Sequence, residues 1–160
     1  MAVVIADAGP LIALAKIAHL HLLSNLFTEV LVTQAVVDEC VGSDTDDARL
    51  IQEALKSGIL KCVNNPVLTN NLSRSLGIGE QTSIEYALQA QKKLLLVMDD
   101  ALARKHALHH KLTVVGTAAI LFTAQQRALI ANAEDLILQL TDAGYRISPI
   151  VISQLKQKSS

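Results

Sequence analysis

Hydrophobic positions along the chain follow two alternating rhythms. Short runs rich in Val, Ile and Leu at residues 3–7, 29–32, 60–63, 94–98 and 113–115 are separated by longer stretches in which apolar residues return at helical spacing. Strands apolar on both faces, alternating with helices, predict βαβ units and a parallel sheet covered on both sides. Residues 10–17 begin with proline in a first turn and 19–26 continue at helical spacing, giving one helix with a break or two short ones. Thr33 is placed to cap a helix through Val36, Val37 and Cys40, which Gly42 stops before a second helix over 44–56. Gly77-Ile78-Gly79 precedes a helix over 80–92, and Gly116-Thr117 opens one running to Leu129. The tail, 133–156, reads as helical with interruptions at Gly144 and Pro149. No internal repeat or linker divides the chain, so a single domain over 1–160 is expected, with 133–160 as its helical tail.

Composition narrows this picture. Hydrophobic residues make up 51% of the 160 positions and charged residues 18%, too apolar for disorder, yet no uninterrupted apolar run reaches the roughly 18 residues that span a bilayer. Two Tyr, two Phe and no Trp leave no platform for stacking bases. With 14 Lys plus Arg against 15 Asp plus Glu there is no global pull on a polyanion, so the placement of charge matters more than its sum. The amino terminus lacks a basic leader and meets an acid at position 7, from which a cytoplasmic protein is expected. Cys40 and Cys62 are too few for a disulfide framework and are read as reduced, largely buried thiols. Residues 11–23 and 117–129 are apolar enough to suggest a homodimer face or a partner groove, with burial in the core as the alternative.

The positions of the acids carry the chemistry. Asp7 ends the first strand, and Asp99 with Asp100 ends the fourth, at the carboxyl edge where doubly wound sheets place their sites. Glu39 lies one or two helical turns beyond the second strand and Glu80 opens the helix leading to the fourth, so four acids can meet at one edge. At an effective dielectric near 20, each carboxylate pair about 4 Å apart repels by on the order of 4 kcal/mol. A divalent cation with oxygen ligands relieves that repulsion, and such an ion suits phosphoryl chemistry. Plainer readings stand beside this one: Asp7 and Glu80 as helix caps, Glu39 as a solvated neighbour of Asp38. Of the adjacent pair, Asp99 is read as the metal-facing residue and Asp100 as a helix cap standing close to the metal.

Asp-Ala-Gly-Pro-Leu-Ile-Ala-Leu from Asp7, Val-Val-Asp-Glu-Cys around Glu39, Gly-Ile-Gly-Glu from Gly77, Val-Met-Asp-Asp-Ala-Leu-Ala-Arg from Val97 and Val-Val-Gly-Thr from Val114 occur in an order that resembles the PIN domain. The resemblance spans roughly 3–150 and is greatest to short stand-alone bacterial and archaeal members. It implies an α/β/α sandwich with strand order 3-2-1-4-5 and Mg²⁺ or Mn²⁺ held by Asp7, Glu39, Glu80 and Asp99. It also implies endonucleolytic cleavage of single-stranded RNA, in many members as a toxin paired with a small antitoxin. Ala8 stands where a hydroxyl residue often follows the first acid, and Thr82 where the subgroup usually repeats an acid. These departures support a second reading, a PIN-like RNA- or protein-binding module without catalysis. Thr117 matches a position near the family's site, as a hydroxyl for substrate or a helix cap.

The one basic concentration runs from Arg104 and Lys105 through His109, His110 and Lys111, either a phosphate-gripping edge or a solvated helix face. Arg104 and Lys105 are the substrate candidates within it. His106 and His110 have zinc-clamp spacing but no third ligand, Gly77-Ile78-Gly79 lacks the last glycine of a dinucleotide loop, and no Gly-x-Ser-x-Gly elbow is present.

Overall fold

The computed structural model describes residues 2–70, 72 and 74–159; residues 1 and 160, the ends of the expected domain, lie outside them. The chain runs β1 (Val3–Ala6), α1 (Ala8–Lys16), α2 (His21–Leu26), β2 (Glu29–Thr33), α3 (Gln34–Val41), α4 (Asp46–Ser57) and β3 (Lys61–Val63). It continues α5 (Ile78–Gln89), β4 (Leu95–Val97), α6 (Ala101–His109), β5 (Thr113–Val115), α7 (Thr117–Gln126), α8 (Ala133–Asp142) and α9 (Pro149–Ser159). All pairings are parallel and the strand order is 3-2-1-4-5, as expected, with β1 between β2 and β4. The order reverses beside β1, so the carboxyl ends of β1 and β4 open onto a shared crevice.

Alternation along the strands divides the core in two. Val4, Ala6, Val30, Val32 and Val97 face a layer that includes α1, α2, α7 and α8, while Ile5, Leu31, Leu96 and Met98 face α5 and α6. Leu11, Leu14, Leu22, Leu23, Ile120 and Leu121 have at most 1% of their surface exposed, each such leucine or isoleucine gaining about 1.5–3 kcal/mol from burial. Most apolar residues of the stretches 11–23 and 117–129 are therefore covered by the chain's own core, the alternative to a homodimer or partner face, although Leu129 is 40% exposed.

Several boundaries differ from the periodicity. Residues 8–26 form two helices because Ala18 turns left-handed, φ 57°, with its N–H donating to the Ala15 carbonyl and that of His19 to Leu14. α1 starts at Ala8, so Pro10 falls in the first turn, where a missing N–H costs little. α4 begins after Thr45, whose hydroxyl accepts from the Ala48 N–H at 3.3 Å. α5 begins at Ile78, and α7 ends at Gln126 because Ala128 is left-handed, φ 59°. Pro149 starts α9 rather than interrupting a helix. Both cysteines are free, but only Cys40 is buried; Cys62 is exposed on β3, an edge strand, which corrects the expectation of two buried thiols. No helix among the described residues is long and apolar enough to cross a membrane.

Candidate active site

Asp7 leaves β1 at its carboxyl end. Its N–H donates to the Val97 carbonyl at 2.9 Å, extending the β1–β4 ladder by one step, and α1 begins at the next residue. The side chain makes no capping bond to α1, is only 6% exposed, and buries Oδ1 with no hydrogen-bond partner among the described residues. Burial pushes its carboxyl up to about 7; the N–H of Ala8 opposes this, and the charges of Glu80, Glu39 and Asp100 add to it.

α3 is started by Thr33, whose Oγ1 accepts from the Val36 N–H at 3.3 Å, and it carries Glu39 back to this edge. The helices α3 and α5 meet at Gly79. A Cβ there would stand 3.1 Å from Val36 Cγ2, 3.5 Å from Asp7 Oδ1 and 3.8 Å from Glu39 Oε2. The missing side chain thus lets α5 close on α3 and leaves two carboxylates beside one small space.

Glu80 divides its oxygens. Oε1 accepts from the Gly77 N–H at 3.0 Å, as in a capping box, while Oε2 is buried with no hydrogen-bond partner among the described residues. Burial raises its pKa; the Gly77 N–H opposes, and Asp100 and Glu39 raise it further. Asp100 caps α6, its Oδ2 accepting from the Ala103 N–H at 3.0 Å, and its charge reaches both Asp7 and Glu80.

Asp99, the residue read from sequence as metal-facing, is held by donors from α7 and from the segment after α8. Its Oδ1 accepts from the Thr117 N–H at 2.8 Å, and its Oδ2 accepts from Thr117 Oγ1 at 2.6 Å and from the hydroxyl of Tyr145. A carboxylate at the first residue of α7 also meets the positive end of that helix. Gly116 makes the approach possible, since a Cβ there would lie 2.8 Å from Asp99 Oδ1 and 2.9 Å from Arg104 Nη1. The structure therefore groups Asp7, Glu39, Glu80 and Asp100 electrostatically and sets Asp99 against Thr117 and Tyr145.

The expected substrate residues separate. Thr117 has no exposed surface and gives both its donors to Asp99, so it positions that carboxylate rather than meeting a substrate. Arg104 is half-buried and donates from Nη1 to the Met98 carbonyl at 3.0 Å; Lys105, next to it, is exposed. Thr82 is buried and hydrogen-bonds to Thr33 Oγ1 at 2.9 Å and to the Gly79 carbonyl at 3.1 Å, tying α5 to the cap of α3 at the position where the subgroup usually repeats an acid.

Two residues escaped the sequence reading. Tyr145 lies between α8 and α9, with burial and then Asp99 raising its pKa, and its hydroxyl would be 3.3 Å from a Cβ at Gly9. Glu85 in α5 is fully buried and accepts from the N–H groups of Thr69, at 2.6 Å, and Asn70, at 2.7 Å, holding the loop before α5. Neither belongs to a motif; their only mark in the sequence is rarity, a tyrosine in an aromatic-poor chain and an acid inside an apolar helix.

The donor set fits a divalent cation in chemistry. Asp7 Oδ1 and Glu80 Oε2 are buried oxygens without a proton donor, on carboxyls that destabilise one another's charge, the situation a hard cation resolves. Among the described residues, no three His, Cys, Asp or Glu side chains are already drawn into a complete ligand cage.

A five-stranded 3-2-1-4-5 sheet between helices, with acids gathered where β1 and β4 end, defines a PIN-like α/β/α protein. The DUF3368 family model, a PIN domain, matches residues 3–160, and the chain belongs to that family. No curated protein matches it. PIN domains are nuclease-like, and their nucleases typically use divalent metals.

Proposed function

We propose that this protein is a Mg²⁺- or Mn²⁺-dependent endoribonuclease acting on single-stranded RNA. The observation that carries the reading is the pair of buried, unpartnered oxygens on Asp7 and Glu80 within one electrostatically coupled group of acids. Asp7, Glu39, Glu80 and Asp99 would hold the ion, with Asp100 close to it. Bound there, the ion lowers the pKa of a water and offsets charge on phosphoryl oxygens. Burial pushes the Asp7 carboxyl up to about 7 in the metal-free protein, so binding of the ion there would release its proton. Thr117 and Tyr145 fix Asp99 in one orientation, so that its negative charge is placed before substrate arrives. Arg104 and Lys105 flank that residue on α6 and supply positive charge for phosphates.

The role as toxin of a toxin–antitoxin pair, with a small antitoxin, rests on the resemblance to stand-alone PIN proteins; a homodimer has only the apolar helices behind it, and most of their residues turn inward. The cytoplasmic setting belongs to the same reading. Incubating end-labelled single-stranded RNA with the protein tests the activity. Internal cleavage with Mn²⁺, absent with chelator and reduced at least about a hundredfold in Asp7→Asn and Glu80→Gln, is expected. RNA left intact under every divalent ion, or cut equally by both variants, would overturn it and leave the non-catalytic module.

A further inference from the structure

Beside Asp99 a groove of about 660 Å³ runs between α6, the start of α7 and the C-terminal segment. Arg104 and Lys105 line one wall, Arg146 and Lys158 the other, and Asp99 is the only carboxylate lining it among the described residues. None of the four cations takes part in an ion pair among the described residues, in a chain whose net charge is −1. The groove also presents apolar surface: Leu108 on α6 is 58% exposed and Val151 on α9 is 39% exposed.

We propose that the C-terminal segment builds the second wall of a binding groove for single-stranded nucleic acid, with Arg146 and Lys158 gripping phosphates. This rests on the endoribonuclease reading for the fate of the bound strand, but the binding itself needs no catalysis. Cations on two facing walls suit a flexible polyanion passing between them, whereas a solvated helix face would place its charges on one element. The exposed Leu108 and Val151 give nucleobases an apolar contact where the chain has few aromatic rings to stack on. Arg146 adds a planar guanidinium that can lie against a base as well as pair with phosphate. Asp99 lines the groove, so a strand held there would lie beside the acidic group. Arg146 immediately follows Tyr145, so the segment that grips the strand also orients Asp99.

The two walls can be separated by experiment. Fluorescence anisotropy with a labelled single-stranded RNA of mixed sequence, in EDTA so that nothing is cut, measures Kd over a range of salt concentrations. Arg146→Gln with Lys158→Gln is expected to weaken binding roughly tenfold and to lower the slope of log K against log salt by about 1.4. Lys158→Glu alone, near the end of the last helix and away from the core, should weaken binding several-fold with an unchanged melting temperature. Equal Kd and slope in wild type and variants, no binding by the wild type, or equal loss with an acidic peptide competitor bound more tightly than RNA would overturn the groove. Cleavage under Mn²⁺ with no effect of either variant would refute the groove and leave the nuclease reading standing. Groove-dependent binding without cleavage under any divalent ion would do the opposite.

Discussion

Asp7 holds a carboxyl where solvent barely reaches it, and the cost of doing so is measurable. Its pKa rises from 3.8 in an exposed setting to about 7 in the folded protein, so between those values the folded state keeps a proton that the unfolded state has released. Without a divalent ion, stability therefore falls as pH rises from about 4 to about 7 and levels off above, a loss on the order of 4 kcal/mol from this residue. Asp7→Asn should flatten that dependence in chelator and melt higher than wild type at pH 8, read by thermal denaturation across the range; a parallel pair of curves would contradict the burial of an ionisable group at this point. Tyr145→Phe removes one donor from Asp99 while leaving both from Thr117. It should lower stability by about 1 kcal/mol, seen as a reduced denaturant midpoint at unchanged slope. An unmoved midpoint would mean that the hydroxyl exchanges Asp99 for water without loss.

Strands and helices were legible where a single residue type decides the boundary. Thr33 caps α3 through its hydroxyl, and the runs of Val, Ile and Leu mark β1, β2 and β4, because a buried parallel strand leaves no polar alternation to confuse; β3 and β5, at the sheet's edges, are more exposed. Helix ends set by non-glycine left-handed residues, Ala18 and Ala128, were not legible, since alanine announces no stop. The site shows the same division. Asp7 and Glu80 could be placed at this edge because a strand end and a helix start fix their positions, whereas Glu39, inside α3, could be told from Asp38 only by which way the helix turns it. Asp99 and Asp100 are adjacent, and only the donors of Thr117 and Tyr145 decide which faces where; those donors arrive from 18 and 46 residues away. Glu85 shows how an element is held by one buried acid. Glu85→Ala would leave the N–H groups of Thr69 and Asn70 without that acceptor, so the loop ahead of α5 should become a preferred site of limited proteolysis, while wild type stays intact at that loop.

At the scale of the whole molecule, the parallel sheet does the assembling. Strand order 3-2-1-4-5 sets β1 against β4, and helices that follow β2 and precede β4 return acids to the same edge from distant parts of the sequence. The fold thus concentrates negative charge at one crevice of a nearly neutral chain, and a doubly charged ion is the partner that such a crevice selects. Two cores either side of the sheet bury most of the apolar side chains, and the acidic edge and the basic groove beside it carry the distinctive charge. Calorimetric titration of Mn²⁺ into the metal-free protein at pH 8 tests this most directly. Saturable binding in the micromolar range, lost in Asp7→Asn and strongly weakened in Glu39→Gln and Glu80→Gln, is the predicted result. Heats indistinguishable from dilution in the wild type, or the same isotherm in all three variants, would contradict it.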